Sequence, residues 1–277
     1  MTGSTNSGAT PPFLRQEEAE IGERFLRDGH VIVEAEDRSA LDRIRGHIVA
    51  LAAAHLGIDP PNDPDAFLNR IHERVDVARL NGLRLAVVNG LKASAWFRPC
   101  YFALARRAVE VIVGNEIAMQ RGIGLSVQLP RDTSSLLHIH ADVWDGDSPF
   151  EVVLWVPMVD CFRTKAMYLV PPAKDRPFQG GMHKYQKQDV EDLYQAVKEA
   201  AAFVPIKYGQ VLLFSQTLMH GNRVNEENET RWSMNCRFKS VLSPYADKKI
   251  GEFFEPITLR PATRIGLDYS LPEGFEE

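Results

Sequence analysis

The chain has 277 residues, 44% of them hydrophobic and 25% charged, which is enough apolar material for a sizeable core and excludes disorder and collagen-like repeats. With 32 Lys+Arg against 37 Asp+Glu the formal charge is -5, so no chain-wide basic field exists to recruit nucleic acid or an anionic membrane. Three cysteines, Cys100, Cys161 and Cys236, without a CxxC, exclude a disulfide framework or a zinc knuckle and fit a reducing cytoplasm.

Residues 1–16 read as a tail: the first twelve are rich in Ser, Thr, Gly and Pro and lack the basic and apolar regions of a signal peptide. No apolar run approaches the ~18 residues of a membrane span. Residues 17–28 read as a charged helix ending at Gly29, followed by a short strand over 30–33. Ser39 opens an amphipathic helix with Leu41, Ile44, Ile48 and Leu51 at helical spacing and Gly57 past its end. The pattern stays helical to Arg121, with breaks near Gly82, Gly90 and Pro99.

From Gly124 onward strands dominate, over residues 125–129, 137–143, 151–159, 166–170, 210–214, 218–224 and 231–241, with one helix at 189–202. This predicts one domain over 17–277: a helical scaffold (17–122), a mainly β barrel or sandwich (123–242) and a C-terminal extension (243–277). Alternation puts His138, His140 and Asp142 on one face of their segment. In the last long strand Arg231, Ser233, Asn235 and Arg237 oppose Trp232, Met234, Cys236 and Phe238. Either strand alone reads more readily as a hairpin edge with solvated charges; the two together describe a polar lumen whose apolar outer face the helices cover.

His140-Ala141-Asp142 offers an imidazole and a carboxylate at a separation suited to one metal ion, and His220 follows 80 residues later. Two His and one carboxylate form the facial triad of non-haem Fe(II) oxygenases, which leaves positions open for a cosubstrate and O2. Arg231 comes 11 residues after His220, and a guanidinium with the Ser233 hydroxyl suits a carboxylate. His138 is open between a place in the metal set, a hydrogen bond to a ligand and a plain lumen residue. Gln128 is a candidate for the cosubstrate. Thr164 and Lys165 are candidates for cosubstrate or substrate, as are Trp144 and Asp147 for a lid over the substrate. Asn235 and Arg237 are candidates for substrate, and six residues along a strand, about 20 Å, keep Arg237 from sharing one cosubstrate with Arg231.

The order HxD, distal His, Arg-x-Ser resembles the phytanoyl-CoA hydroxylase-like branch of Fe(II)/2-oxoglutarate dioxygenases, over roughly residues 20–242 and most firmly from Gln128 to Phe238. The segment from His138 to Trp144 and the following Gly146-Asp147-Ser148-Pro149-Phe150 are similar to a bacterial subgroup found among carbohydrate-biosynthesis genes. The resemblance implies a double-stranded β-helix, or jelly roll, with Fe(II) on His140, Asp142 and His220 and 2-oxoglutarate salt-bridged to Arg231. It implies oxidation of a C–H bond, with O2 and 2-oxoglutarate consumed and succinate and CO2 released. Halogenating relatives lack the carboxylate ligand, so Asp142 implies hydroxylation or a related oxidation. Many relatives carry Asn-Gly where Thr164-Lys165-Ala166-Met167 stands, which leaves the substrate open between a sugar, a sugar nucleotide and another polar small molecule. Two other readings remain. His138-x-His140-x-Asp142 is similar to the zinc motif of metallo-β-lactamase-like hydrolases, though Val143 stands where a further His belongs, and a non-catalytic cupin-like sugar-binding module would also keep a polar lumen.

Overall fold

A computed structural model describes residues 13–184 and 189–274; the expected tail over 1–12 lies outside the described residues. The chain begins with α1 (Gln16–Asp28), β1 (His30–Glu34), α2 (Arg38–His55), α3 (Pro64–Asn69), α4 (Val77–Lys92), α5 (Phe97–Ala103) and α6 (Arg106–Val113). It continues with β2 (Ile117–Gln120), β3 (Gly124–Gln128), β4 (Glu151–Pro157), β5 (Tyr168–Leu169), α7 (Pro172–Gly180) and α8 (Val190–Val197). Then follow β6 (Ala202–Phe203), β7 (Gln210–Ser215), β8 (His220–Gly221), β9 (Arg231–Ser240), β10 (Phe254–Thr258) and α9 (Pro261–Asp268).

Local chemistry sets the helix limits. Asp37 and Asp76 cap α2 and α4 by accepting from the backbone N–H groups of Ala40 and Arg79, at 2.9 and 3.0 Å. Gly29 ends α1 in the left-handed conformation (φ 69°), which only a residue without Cβ adopts cheaply. Contrary to the expected breaks, α4 runs unbroken through Gly82 and Gly90. Gly90 serves packing instead: a Cβ there would lie 2.3 Å from Leu51 Cδ2, so the missing side chain lets α2 approach α4.

The strands form two antiparallel sheets. The larger runs β1-β7-β4-β9-β2-β10, with β3 also paired to β9; the smaller runs β6-β5-β8. Alternation along β4, β7 and β9 then sorts the core. Val152, Leu154, Val211, Leu213, Trp232, Met234, Cys236 and Phe238 face the helices and join one cluster with Leu41, Ile44 and Leu83. Each such buried side chain contributes about 1.5–3 kcal/mol of apolar transfer. Hydrogen bonds fix the layers in register: Trp232 Nε1 donates to the Leu68 carbonyl at 3.0 Å, and Tyr101 Oη to the Leu154 carbonyl at 2.8 Å. The opposite face of the large sheet meets the small one through Val153, Trp155, Leu169, Leu212 and Phe214. The outer face of the small sheet, with Tyr168 and Met219, is covered by Leu193 and Val197 of α8.

Three expectations are corrected. Residues 117–120, expected to be helical, form β2, because Ile117, Ala118 and Met119 find partners in β9 and β10. The extension adds β10 to the same sheet. Residues 137–143 are not a strand; within that stretch His140 alone pairs, with His220, and Asp142–Asp145 is a 3-10 turn closed by Gly146 at φ 84°. A left-handed glycine four residues past Asp142 turns the chain away before a ladder can extend.

Candidate functional site

The two histidines of the candidate metal set are held by each other. His140 N–H donates to the His220 carbonyl at 3.0 Å and His220 N–H to the His140 carbonyl at 2.8 Å. Beside them Asn222 ties the same two segments: its Oδ1 accepts from Leu137 N–H at 2.7 Å and its N–H donates to the Leu137 carbonyl at 3.0 Å. One bridge and one side chain thus do the work of the strand that is missing.

Both rings meet a carbonyl through Nδ1, His140 that of His138 at 2.8 Å and His220 that of Leu218 at 2.9 Å. A carbonyl only accepts, so Nδ1 carries the proton and Nε2 turns its lone pair to the centre. There His140 Nε2 lies 3.3 Å and His220 Nε2 3.8 Å from Asp142 Oδ1. One ligand atom from each of the three residues falls within a mutual 4.8 Å, the only such cluster of three or more metal-ligating side chains among the described residues.

Burial and charge set the three protonation states apart. Burial pushes the His220 imidazole down to about 4, with the neighbouring His140 adding to the effect. Burial works against ionising Asp142, but the bond with His140 and the charges of His220 and Arg237 outweigh it and hold the carboxyl well below its usual range. Arg237 is the closest of these cations, with Nη2 2.9 Å from Asp142 Oδ1. Burial also works against protonating His140, but its contact with Asp142 and its bond to the His138 carbonyl raise it on balance.

A cavity of about 310 Å3 opens on His220 and extends past Ser233 to Arg231. Arg231 is buried; its Nη2 donates to Ser126 Oγ at 3.0 Å, while its Nε has no partner. The Ser233 hydroxyl is equally buried and unpartnered. Leaving a buried polar atom unpaired costs about 1–3 kcal/mol. A guanidinium and a hydroxyl in this state, on one strand and at one cavity, are the complement of a carboxylate. The residues present therefore fit both a divalent metal and a keto acid with a second carboxylate.

The other candidates are placed as follows. Asn235 lines the cavity. Gln128 is fully buried, donates Nε2 to the Arg223 carbonyl at 2.7 Å and keeps an unpartnered Oε1, but does not line the cavity. His138 is corrected: its side chain is exposed, and only its carbonyl serves the site. Thr164 is corrected as well, its hydroxyl donating to Glu227 at 3.1 Å and accepting from Glu226 N–H. Lys165 is buried away from the cavity on Asn69 at 2.6 Å and Glu229 at 2.7 Å. The 3-10 turn Arg163–Lys165 rotates both outward, and Met167 reaches the cavity instead. Asp147 is held between Lys248 and Arg237, so it is no free lid carboxylate. Trp144 is 41% exposed in the turn that follows the metal loop. Arg237 touches Asp142 and Gln216 rather than the cavity.

Sequence reasoning missed Arg84, which lines the cavity from α4. The signal was present: Arg84 interrupts the buried stripe of Leu80, Leu83, Val87 and Leu91, where a charge has no place without a partner.

No protein-family model and no curated protein matches the chain. Solved structures do. The non-heme monooxygenase ThoJ in its apo form superposes with a TM-score of 0.54 at 16% identity, over 86% of this chain and 84% of that one. EctD from S. alaskensis, in its apoform, gives 0.54 at 16% identity over 82% and 78% of the two chains. HygX from Streptomyces hygroscopicus, solved with nickel and 2-oxoglutarate bound, gives 0.54 at 14% identity over 83% and 89%. The chain has their double-stranded β-helix fold. At these identities the likeness is one of fold, and chemistry must be argued from the side chains themselves.

Proposed function

We propose that the chain is a non-haem Fe(II)- and 2-oxoglutarate-dependent oxygenase of the phytanoyl-CoA hydroxylase-like kind, acting on a polar small molecule. The observation that carries this reading is one cavity lined both by His220 of the candidate metal set and by Arg231 and Ser233, whose buried Nε and hydroxyl have no partner. His140, Asp142 and His220 would hold the metal. Arg231 and Ser233 would hold the distal carboxylate of 2-oxoglutarate, and HygX, of the same fold, is solved with nickel and 2-oxoglutarate bound. The metal and cosubstrate supply the oxidising power. For a hydroxylation the balance is one C–H bond, O2 and 2-oxoglutarate consumed, and one alcohol, succinate and CO2 formed.

The chain's own residues orient and exclude. The Nδ1–H bonds of both histidines fix the ring planes, and Phe214 packs edge-on against His220 with centroids 4.9 Å apart. Trp155 and Met167 line the cavity with apolar surface that keeps water from the keto acid. A sugar or nucleotide sugar as substrate is favoured by Asn235 on the cavity wall and by Trp144, whose exposed ring follows the metal loop and can stack on a pyranose. The hydrolase reading loses its support, because the exposed His138 joins no metal cluster.

The test is anaerobic titration of the purified protein with Fe(II) and then 2-oxoglutarate. A weak visible charge-transfer band is the expected result, absent in His220→Ala. A wild type that gives no band and binds two zinc ions per chain would return the site to hydrolysis.

A further inference from the structure

Arg84 precedes Arg231 by 147 residues, yet both guanidiniums line the one cavity. Among the described residues neither has a carboxylate within ion-pair distance; Asp132, whose charge acts on Arg84, accepts from the hydroxyls of Ser134 and Ser135 and reaches Arg84 only through Ser135. Arg84 Nη2 donates to the Val127 carbonyl and, at 2.5 Å, to Ser135 Oγ, which fixes the plane of its guanidinium. Its Nε is buried without a partner, as is that of Arg231. Burial lowers both groups, and Arg231 is pushed down to about 10, with the like charge of Arg84 contributing. Of the eight side chains with a buried, unpartnered polar atom among the described residues, three line this cavity: Arg84, Arg231 and Ser233. Two desolvated cations at one cavity, neither directly paired with a carboxylate, are unfavourable alone and favourable with an anion between them.

We infer that Arg84 is a second cationic anchor for the distal carboxylate of the keto-acid cosubstrate, acting with Arg231 to select a dicarboxylic over a monocarboxylic 2-oxo acid. This rests on the 2-oxoglutarate reading above and deepens it. Arg231 reaches the carboxylate from the β9 wall and Arg84 from the helical layer. The scaffold is thereby part of the binding site and not only its cover.

Calorimetric titration of the Ni(II)-loaded protein with 2-oxoglutarate and with pyruvate tests it. Both acids present the same 2-oxo-carboxylate to the metal, and only the first has a distal carboxylate. Arg84→Met should raise the Kd for 2-oxoglutarate about 10- to 100-fold, the worth of a hydrogen bond to a charged group, and change that for pyruvate by less than about twofold. Arg84→Lys should fall between wild type and Arg84→Met. Unchanged 2-oxoglutarate affinity, or a parallel loss for both acids, overturns the inference, the second outcome marking Arg84 as a strut for Val127 and Ser135. If Arg84→Met does not fold, Arg84→Lys decides by the same comparison: a loss confined to 2-oxoglutarate supports the inference, and no loss or a parallel loss ends it. A wild type that binds 2-oxoglutarate no better than pyruvate overturns the proposed function itself, and the inference with it, before any variant is made.

Discussion

Arg237 is where the metal centre and the stability of the fold meet. Its Nη2 is 2.9 Å from Asp142 Oδ1, its Nε donates to Gln216 Oε1 at 2.7 Å, and Asp147 lies 3.5 Å away. Replacing it with Met leaves two buried carboxylates short of one cation. Breaking a buried pair costs about 3–5 kcal/mol. The low end applies, because Lys248 still pairs with Asp147 and His140 still touches Asp142. At roughly 2 °C per kcal/mol for a chain of this size, the metal-free variant should melt about 6 °C below wild type. A divalent ion supplies the missing charge at Asp142, so saturating Ni(II) should close most of that gap. If it restores about 2 kcal/mol, linkage requires Ni(II) to bind the variant about 30-fold more tightly. Thermal melts with and without Ni(II), and a Ni(II) titration of each protein, measure the two sides independently. A gap of equal size in both melts would refute the idea that Arg237 neutralises Asp142.

Arg231→Gln should raise the Kd for 2-oxoglutarate by two orders of magnitude or more on the Ni(II) protein, given about 3–5 kcal/mol for an unpaired buried carboxylate, and leave Ni(II) affinity unchanged; weaker metal binding in calorimetry would contradict the division of labour between β9 and the ligand set. Burial, with the charge of Asp147 adding, pushes Glu151 up to about 7. A carboxyl raised above its unfolded value of about 4.3 gives its full contribution below that pH and loses it as pH rises through about 7. The melting temperature should therefore fall between pH 5 and 8, and Glu151→Gln should flatten that slope; parallel slopes would show that Glu151 does not set it.

The sequence spoke clearly where period and composition coincide. In β9 nine residues, Arg231 to Lys239, alternate without a break, so the inward set of Arg231, Ser233, Asn235 and Arg237 was legible from side-chain parity alone. The metal segment was legible for a different reason than the one supposed. His140 and Asp142 do converge, but through one bridge to His220, the Asn222 clasp and a 3-10 turn, none of which has a periodic signature. Four-residue β2 was unreadable because its conformation comes from its partners, β9 and β10, rather than from its own Ile-Ala-Met-Gln. Lys165 misled because a loop lysine is ordinarily solvated, and here Asn69 and Glu229, both far off in sequence, supply its burial. The C-terminal cover of the site was equally invisible, since Lys248 meets Asp147 only once β10 has joined the sheet.

The charges of the lumen also bear on how a keto acid would lie in it. Along β9, Arg237 is matched by Asp142 and Asp147, whereas Arg231, six residues earlier on the strand, shares its cavity with Arg84 and no acid. The first end is therefore compensated before anything binds, and its uncommitted capacity is the pair of Nε2 lone pairs on His140 and His220, which suit a cation. The second end is cationic and unpaired, which suits an anion. A keto acid with two carboxylates would satisfy the guanidiniums with either of them, but only its 2-oxo-carboxylate end offers two oxygens to chelate a metal at the histidines. Its orientation would therefore be set by which end can chelate, with the remaining carboxylate left to Arg84 and Arg231. Binding energy gathered at the guanidiniums, away from the chemistry, would then serve to place the reacting atoms rather than to choose their direction.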